Sequence, residues 1–245
     1  MAARRGREAR RGRTEGAVRR TGGTTAKPRP ELGPLPGGHH GLSREQIAES
    51  QRERLLAGVA HAVAERGYRA TTITEIVRAA SVSSAAFYKH FESKEQCFLA
   101  AFDAVVDHLR DLVAEAVEPV PDWPHKVIAA LRALLRFFAA EPDLARLCLI
   151  EPITASPEIA THFRSVVISC IPHLQTGRAE RPEAADLPES TEDSLLGGLL
   201  ALTARSLLAG DPTALEQRLP DLVDFALSPY LGPEAAKELA REASA

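Results

Sequence analysis

TITEIVRAASVSSAAFYKHFESK, running from Thr72 to Lys94, carries the signals for two short helices and the turn between them. Thr72 and Glu75 form a T-x-x-E capping box, so a helix begins just after Thr72, and Ile73, Ile76, Val77 and Ala80 repeat at helical spacing behind it. Ser81-Val82-Ser83 breaks the pattern, and Ser83 caps a second short helix that reaches His90. Ser93 and Gln96 make another box, S-x-x-Q, which opens a long helix through Glu118 with Phe98, Phe102, Val105, Leu109 and Leu112 on one stripe. Two short helices joined this way have the helix-turn-helix layout, in which the second helix enters the major groove of DNA and the first braces it. Ile73, Ile76, Val77, Val82, Phe87 and Phe91 supply the expected core. The expected DNA-facing set is Thr72, Ser83, Ser84, Ala85, Ala86, Tyr88, Lys89, His90 and Lys94. Small residues at the helix front let its backbone approach base edges, while Tyr88, Lys89, His90 and Lys94 stand where phosphates would lie, Lys94 in a first helical turn whose free N–H groups also favour an anion.

Upstream, Leu56, Val59, Ala60 and Val63 mark one further helix that Gly67 closes. Residues 1 to 42 read differently: nine Gly, four Pro, no aromatic, and ten Lys/Arg against three acids give a low-complexity arm of charge plus 7, expected to be disordered. Downstream, helices are expected at about 123 to 140, 142 to 154, 157 to 174, 191 to 209 and 213 to 228, with a polar loop from Gly177 to Ser190 and no competing strand pattern. The fold class is therefore all-α: a basic arm (1 to 42), a three-helix helix-turn-helix DNA-binding domain (43 to 93), and a larger helical bundle (94 to 245). Charge falls along these parts, from plus 7 in the arm to plus 2 in residues 43 to 94 and minus 12 from Glu95 onward, which suits a DNA-facing end on a body that DNA repels.

The chain of 245 residues has three widely spaced cysteines, Cys97, Cys148 and Cys170, with no CxxC, so neither a disulfide framework nor a zinc knuckle is expected and a cytoplasmic setting fits. No stretch reaches the ~18 uninterrupted apolar residues of a membrane span. GxSxG, HExxH, Walker A, GxGxxG and paired Glu-x-x-His motifs are all missing, so no catalytic residue, metal or cofactor is expected.

In the order R-x-x-L-L-x-x-V from Arg52, Gly67-Tyr68, Thr71-Thr72-Ile73, Val82-Ser83, Phe87-Tyr88-Lys89-His90-Phe91 and Ser93-Lys94-Glu95, the sequence resembles the TetR family of transcriptional regulators over about residues 48 to 105. It departs from the family at Ser81, where a glycine is usual and where serine must take a less comfortable backbone conformation. It departs again at Ser84, Ala85 and Ala86, which exclude bidentate guanine readout and leave methyl contacts, water bridges and DNA shape. The resemblance implies a homodimer on a palindromic operator, most simply a repressor, released by a small-molecule effector bound in the C-terminal domain. On that reading Phe102, Trp123, Phe137, Phe138, Cys148, Phe163 and Cys170 surround the effector, with Glu151, His162 and Thr203 as its polar partners. The uncharged run Ser194 to Ala204 and the helix after it would form the dimer interface through Leu195, Gly198, Leu199, Leu202, Leu215, Leu219, Leu222 and Phe225, with Pro220 bending the second helix. The alternatives are that 194 to 204 is the core helix of one subunit, and that the protein is a helical ligand-binding or scaffold protein that does not act through DNA.

Overall fold

Capping residues place the helix starts, those after Thr72, Ser83 and Ser93 as the sequence foretells. In a computed structural model describing residues 43–210 and 213–244, Ser43 and Gln46 complete a reciprocal capping box that opens α1 (Arg44–Arg66). Thr72 and Glu75 do the same for α2 (Ile73–Ala79). Ser83 accepts from the Ala86 N–H at the start of α3 (Ser84–His90), and Ser93 from the Gln96 N–H at the start of α4 (Lys94–Val117). The second half of that last box is shifted by one residue: the Gln96 side chain accepts from the Glu92 N–H instead of the cap's own. The arm expected over 1 to 42 lies outside the described residues.

The rest of the described chain is helical: α5 (Trp123–Ala140), α6 (Pro142–Leu149), α7 (Glu151–Thr154), α8 (Pro157–Ile168), α9 (Ile171–Glu180), a 3-10 turn (Pro182–Ala184), α10 (Thr191–Leu208), α11 (Thr213–Gln217), α12 (Leu219–Leu231) and α13 (Pro233–Ala243). Prolines explain where these differ from expectation. The helix expected over 142 to 154 divides before Pro152, that over 157 to 174 before Pro172, and that over 213 to 228 before Pro220, each proline falling at the first or second position of the new helix, where its missing N–H costs nothing. Pro220 thus starts a helix instead of bending one. The loop expected from Gly177 to Ser190 is shorter, because α9 continues to Glu180 with Gly177 beneath the Trp123 indole, where a Cβ would stand 2.5 Å from the ring. Helix α13 lies beyond the helices expected from the sequence; Gly232 ends α12 at φ +77 and Ala236 and Ala240 seat the new helix.

One apolar cluster runs from Leu55, Val59, Ile76, Phe87 and Phe98 in the first four helices to Leu222, Val223 and Leu227 in α12. Leu55, fully buried, fills the place that the periodicity gives to Leu56, which is only half-buried. Helix α4 belongs to both ends of this core, since Cys97, Phe98 and Ala101 pack toward α1 and Phe102, Val105 and Val106 continue along the same buried face. Among the described residues no helix is long and apolar enough to cross a membrane.

Candidate nucleic-acid interface

Helices α1 and α2 cross so closely that Gly58 is required: a Cβ there would lie 2.9 Å from the Ala80 N and the Ile76 carbonyl oxygen. The turn that follows α2 holds Ser81 at φ 53, the left-handed region, with Val82 N–H donating to the Val77 carbonyl (3.0 Å) and the Arg54 guanidinium to the Ser81 carbonyl (3.3 Å). Ile76, Val77, Phe87 and Phe91 are buried beneath. Glu75, besides capping α2, lies 3.1 Å from Arg66; the Thr72 N–H and hydroxyl hold its carboxyl below the usual carboxylate range, with Arg66 and Arg78 adding to the effect.

With α3 fixed in this way, Thr72, Ser83, Ser84, Ala85, Tyr88 and Lys89 are exposed together, Tyr88 by 60%. Three of the expected DNA-facing residues are placed otherwise. Ala86 is buried, because it lies one turn before the half-buried His90 on the side of α3 turned from solvent, away from the exposed Ser84, Ala85, Tyr88 and Lys89. His90 is half-buried with its ring tilted on Phe91, and its Nε2 is enclosed without a partner. Lys94 turns inward: its ammonium donates to the carbonyls of Tyr68 and Thr71 (2.7 Å each) and rests 4.2 Å from the Tyr68 ring centre. Burial lowers the Lys94 pKa from its ordinary value, and burial likewise pushes the Tyr68 hydroxyl up to about 12. Two exposed residues of α2, Thr74 and Arg78, stand one turn apart and are missing from the expected set; projecting α2 as a helix opposite Ile76 and Val77 finds them.

The expected effector residues separate into distinct places. Phe102, His162 and Phe163 meet, with ring centres 5.7 Å and 6.2 Å from Phe102, and His162 pairs with Asp103 at 2.6 Å. Phe137 and Phe138 adjoin each other beside His108. Trp123 is core: its indole N–H donates to the His173 carbonyl and its ring stacks edge-on against Tyr230 at 4.7 Å. Cys148 is buried, and burial pushes its thiol up to about 12, whereas Cys170 is exposed. Thr203 donates to the Leu199 carbonyl of its own helix. Glu151 accepts from the Tyr68 N–H at 2.7 Å. His162 also borders an open groove with Pro157, Glu158, Thr161 and Ser165. Among the described residues no group of three His, Cys, Asp or Glu is arranged to hold a metal ion.

Of the expected interface residues, Leu195, Leu215, Leu219 and Leu222 are buried within the single chain, so they belong to the protomer core. They face inward because α10 and α12 pack on each other and α11, which carries Leu215, packs on α5. Gly198 receives the Phe225 ring, which a Cβ would meet at 2.5 Å. Leu199 and Leu202 are half-buried. The outward stripe of α10 carries Gly197, Ala201 and Leu208 with the exposed Arg205 between the last two, and Leu208 and the Phe225 of α12 are the large apolar side chains there, exposed by 60% and 39%.

The family described as "Bacterial regulatory proteins, tetR family" matches residues 55–101. The chain is 29% identical over 148 residues to the HTH-type transcriptional activator FasR of Mycolicibacterium smegmatis, an alignment that spans 60% of this chain and 66% of that protein. It is 25% identical over 185 residues to the HTH-type transcriptional regulator YdgC of Bacillus subtilis, spanning 73% and 93% of the two. Among solved structures, the fatty acid degradation regulator FadR from Bacillus halodurans superposes with a TM-score of 0.62 at 18% identity, covering 74% of this chain and 98% of that one. FadR from Bacillus subtilis, solved with stearoyl-CoA, gives 0.57 at 14% identity over 74% and 98%. At these identities the structural likeness speaks for the fold.

Proposed function

We propose, from the premise that this chain belongs to the TetR family of transcriptional regulators, that it binds operator DNA as a homodimer and changes that hold when a small molecule occupies its C-terminal helices. The observation that carries the reading is α3 itself. Its apolar side is sunk into the core while Ser84, Ala85, Tyr88 and Lys89 stand free on one face, backed by Thr74 and Arg78 of α2. That face offers methyl and aromatic surface to thymine methyls, hydroxyls to phosphates or bridging waters, and two cations to the backbone. Without a planar bidentate donor on α3, sequence preference rests on apolar contact and DNA shape.

We divide the chain functionally into the DNA-binding unit 43 to 93 and the regulatory and dimerisation unit 94 to 245. The exposed stripe of Gly197, Ala201, Arg205 and Leu208, with Phe225, is the surface proposed for pairing, since its uncovered Leu208 and Phe225 find cover most simply in a second copy related by a two-fold axis. An effector is supported by the relative solved with stearoyl-CoA and by another described as a gamma-butyrolactone receptor. The Phe102, His162 and Phe163 cluster beside α4 is the place proposed for it. Repression by occlusion of a promoter in the cytoplasm is the simplest outcome; FasR is named an activator, so the sense depends on where the operator lies.

Selection of duplexes from a random library by the full chain tests the reading. The expected product is an inverted repeat with half-sites about one helical turn, ~34 to 36 Å, apart, bound by a dimer in sedimentation. Uniform weak binding to all duplexes at every salt concentration would refute it.

A further inference from the structure

We propose that Glu151 is a positioning residue that latches the DNA-binding unit to α6 and α7, so that the placement of those helices sets the pose of α2 and α3. Glu151 is buried, 6% exposed, and a carboxylate is seldom left there without a task. Its Oε2 accepts from the Tyr68 N–H at 2.7 Å, and its Oε1 lies 3.6 Å from the Arg146 guanidinium of α6. The corner it grips, Gly67-Tyr68-Arg69, is the link between α1 and α2. Gly67 keeps the approach open: it sits at φ +78, and a Cβ on it would stand 3.5 Å from the Glu151 carboxylate. The other end of α7 holds the same corner, since Arg69 donates from Nε to the Thr154 carbonyl at 2.8 Å.

From Tyr68 the tie continues into the DNA-binding unit. The Tyr68 carbonyl and ring both take the Lys94 ammonium, which also donates to the Thr71 carbonyl directly before the Thr72 cap of α2. The path Glu151, Tyr68, Lys94 therefore joins α7 to the first turn of α4 and the first turn of α2. Apolar packing between α1 and α6 is non-directional and tolerates sliding. A buried charged acceptor does not: a shift of α6 and α7 must either carry the corner with it or part the carboxylate from the Tyr68 N–H, which gives two discrete arrangements instead of a continuum. Of the groups around this corner, His61 with Asp143 and Glu65 makes a second, solvent-exposed tie between α1 and α6.

The proposal rests on the reading of the chain as a DNA-binding regulator only for one of its two readouts. The full chain is compared with Glu151→Ala and Glu151→Gln, by amide exchange of peptides within 67–80 and 195–227 and by titration of a duplex that the unaltered chain selects. Glu151→Ala is expected to speed exchange in 67–80 roughly tenfold while 195–227 keeps its protection, as for a local opening. It is expected to weaken duplex binding about tenfold, within the usual range of coupling between sites, without changing the salt slope, because every phosphate keeps its cation. Glu151→Gln keeps an acceptor for the Tyr68 N–H and is expected to restore most of both. Should Glu151→Ala fail to fold, Glu151→Asp, which withdraws the carboxylate by one methylene, takes its place. Unaltered exchange in 67–80, equal loss of protection in 195–227, or an unaltered dissociation constant for the duplex each overturns the latch. A chain that selects no duplex refutes the DNA-binding reading instead, and the exchange comparison then still decides whether Glu151 holds the corner.

Discussion

In the helix-turn-helix the polar groups that define α1 to α4 answer to neighbours three residues away: Ser43 with Gln46, Thr72 with Glu75, Ser83 with Ala86, Ser93 with Gln96. At the opposite end of the molecule, α9, α10 and α12 are joined by groups far apart in sequence. Glu192, fully buried, takes two donors from Arg178, 14 residues before it, at 2.7 and 2.8 Å, and the Tyr230 hydroxyl, 38 residues after it, at 2.8 Å. Arg178 also donates to the carbonyls of Leu187 and Pro188, tying down the segment between α9 and α10. The first region is specified piecewise, one cap at a time. The second hangs on one buried charged cluster, and removing a member strands the others in a water-poor site.

The largest expected effect follows from that contrast. Glu192→Ala should cost about 3 to 5 kcal/mol, the range for breaking a buried ion pair from one side, read as a lower urea midpoint. A loss below about 1 kcal/mol, the ordinary size for a point change, would erase the distinction between the two regions. The same carboxyl carries a pH signature. Its hydrogen bonds from Arg178, and then that from Tyr230, hold its pKa below the usual carboxylate range. In the unfolded chain it titrates near ~4.3, so the folded state binds fewer protons than the unfolded one between the two values. Its stabilisation is complete above the unfolded value and drains away as pH falls through the depressed folded value. Glu192→Gln should therefore flatten the acid limb of the stability profile; an unchanged limb would mean that Glu192 contributes none of it.

An intermediate effect is expected at Lys94, where the two ends of the comparison meet in one residue: it lies in the local cap-built region but is held by long-range bonds. Lys94→Ala should lower stability by about 1.5 to 3 kcal/mol, the scale of hydrogen bonds to a charged group, and leave the salt slope of DNA binding unchanged. Lys89→Ala, on the exposed face of α3, should do the reverse. It should stay within about 0.5 kcal/mol of the parent while flattening the slope by about 0.9 for each phosphate that Lys89 neutralises, counted per subunit. If Lys94→Ala flattens the slope instead, the inward assignment fails.

These residues also mark how far the sequence could be read. Cap signatures are local, so Thr72, Ser83 and Ser93 locate α2, α3 and α4 without knowledge of their neighbours, and the all-α class with its helix-turn-helix follows. Lys94 is the same letter whether it points at a phosphate or at the Tyr68 carbonyl, and only the packed corner of Gly67 to Thr71 decides between them. Ala86 is small either way, and its burial depends on a half-turn of helix phase. Glu151 resembles a ligand-binding carboxylate for the same reason: residue type announces the chemistry but not the direction. Gly58 and the Arg178–Glu192 pair leave no periodic trace, because each is explained by an element elsewhere in the chain. Helix α13 escapes notice because Ala236 and Ala240, which seat it, barely register as hydrophobic.

The smallest expected effect concerns Ser81, the one described non-glycine residue with positive φ. A left-handed conformation costs a residue with a side chain roughly 1 to 3 kcal/mol, and it persists at φ 53 because three bonds determine it: Ser81 N–H to the Arg78 carbonyl, Val82 N–H to the Val77 carbonyl, and Arg54 to the Ser81 carbonyl. Glycine removes that strain but adds freedom to the unfolded chain, a loss of about 0.5 to 1 kcal/mol. The difference, about 0 to 2.5 kcal/mol, predicts that Ser81→Gly raises stability by about 1 kcal/mol and leaves duplex binding unaltered, since the exposed face of α3 is set by Ser83 and by the core beneath it. Arg54→Ala should move the other way, because it withdraws the one side chain that braces the strained carbonyl. If Ser81→Gly destabilises the protein, the turn is held by the serine side chain and not merely endured by it, and the helix-turn-helix is then less locally specified than its four caps indicate.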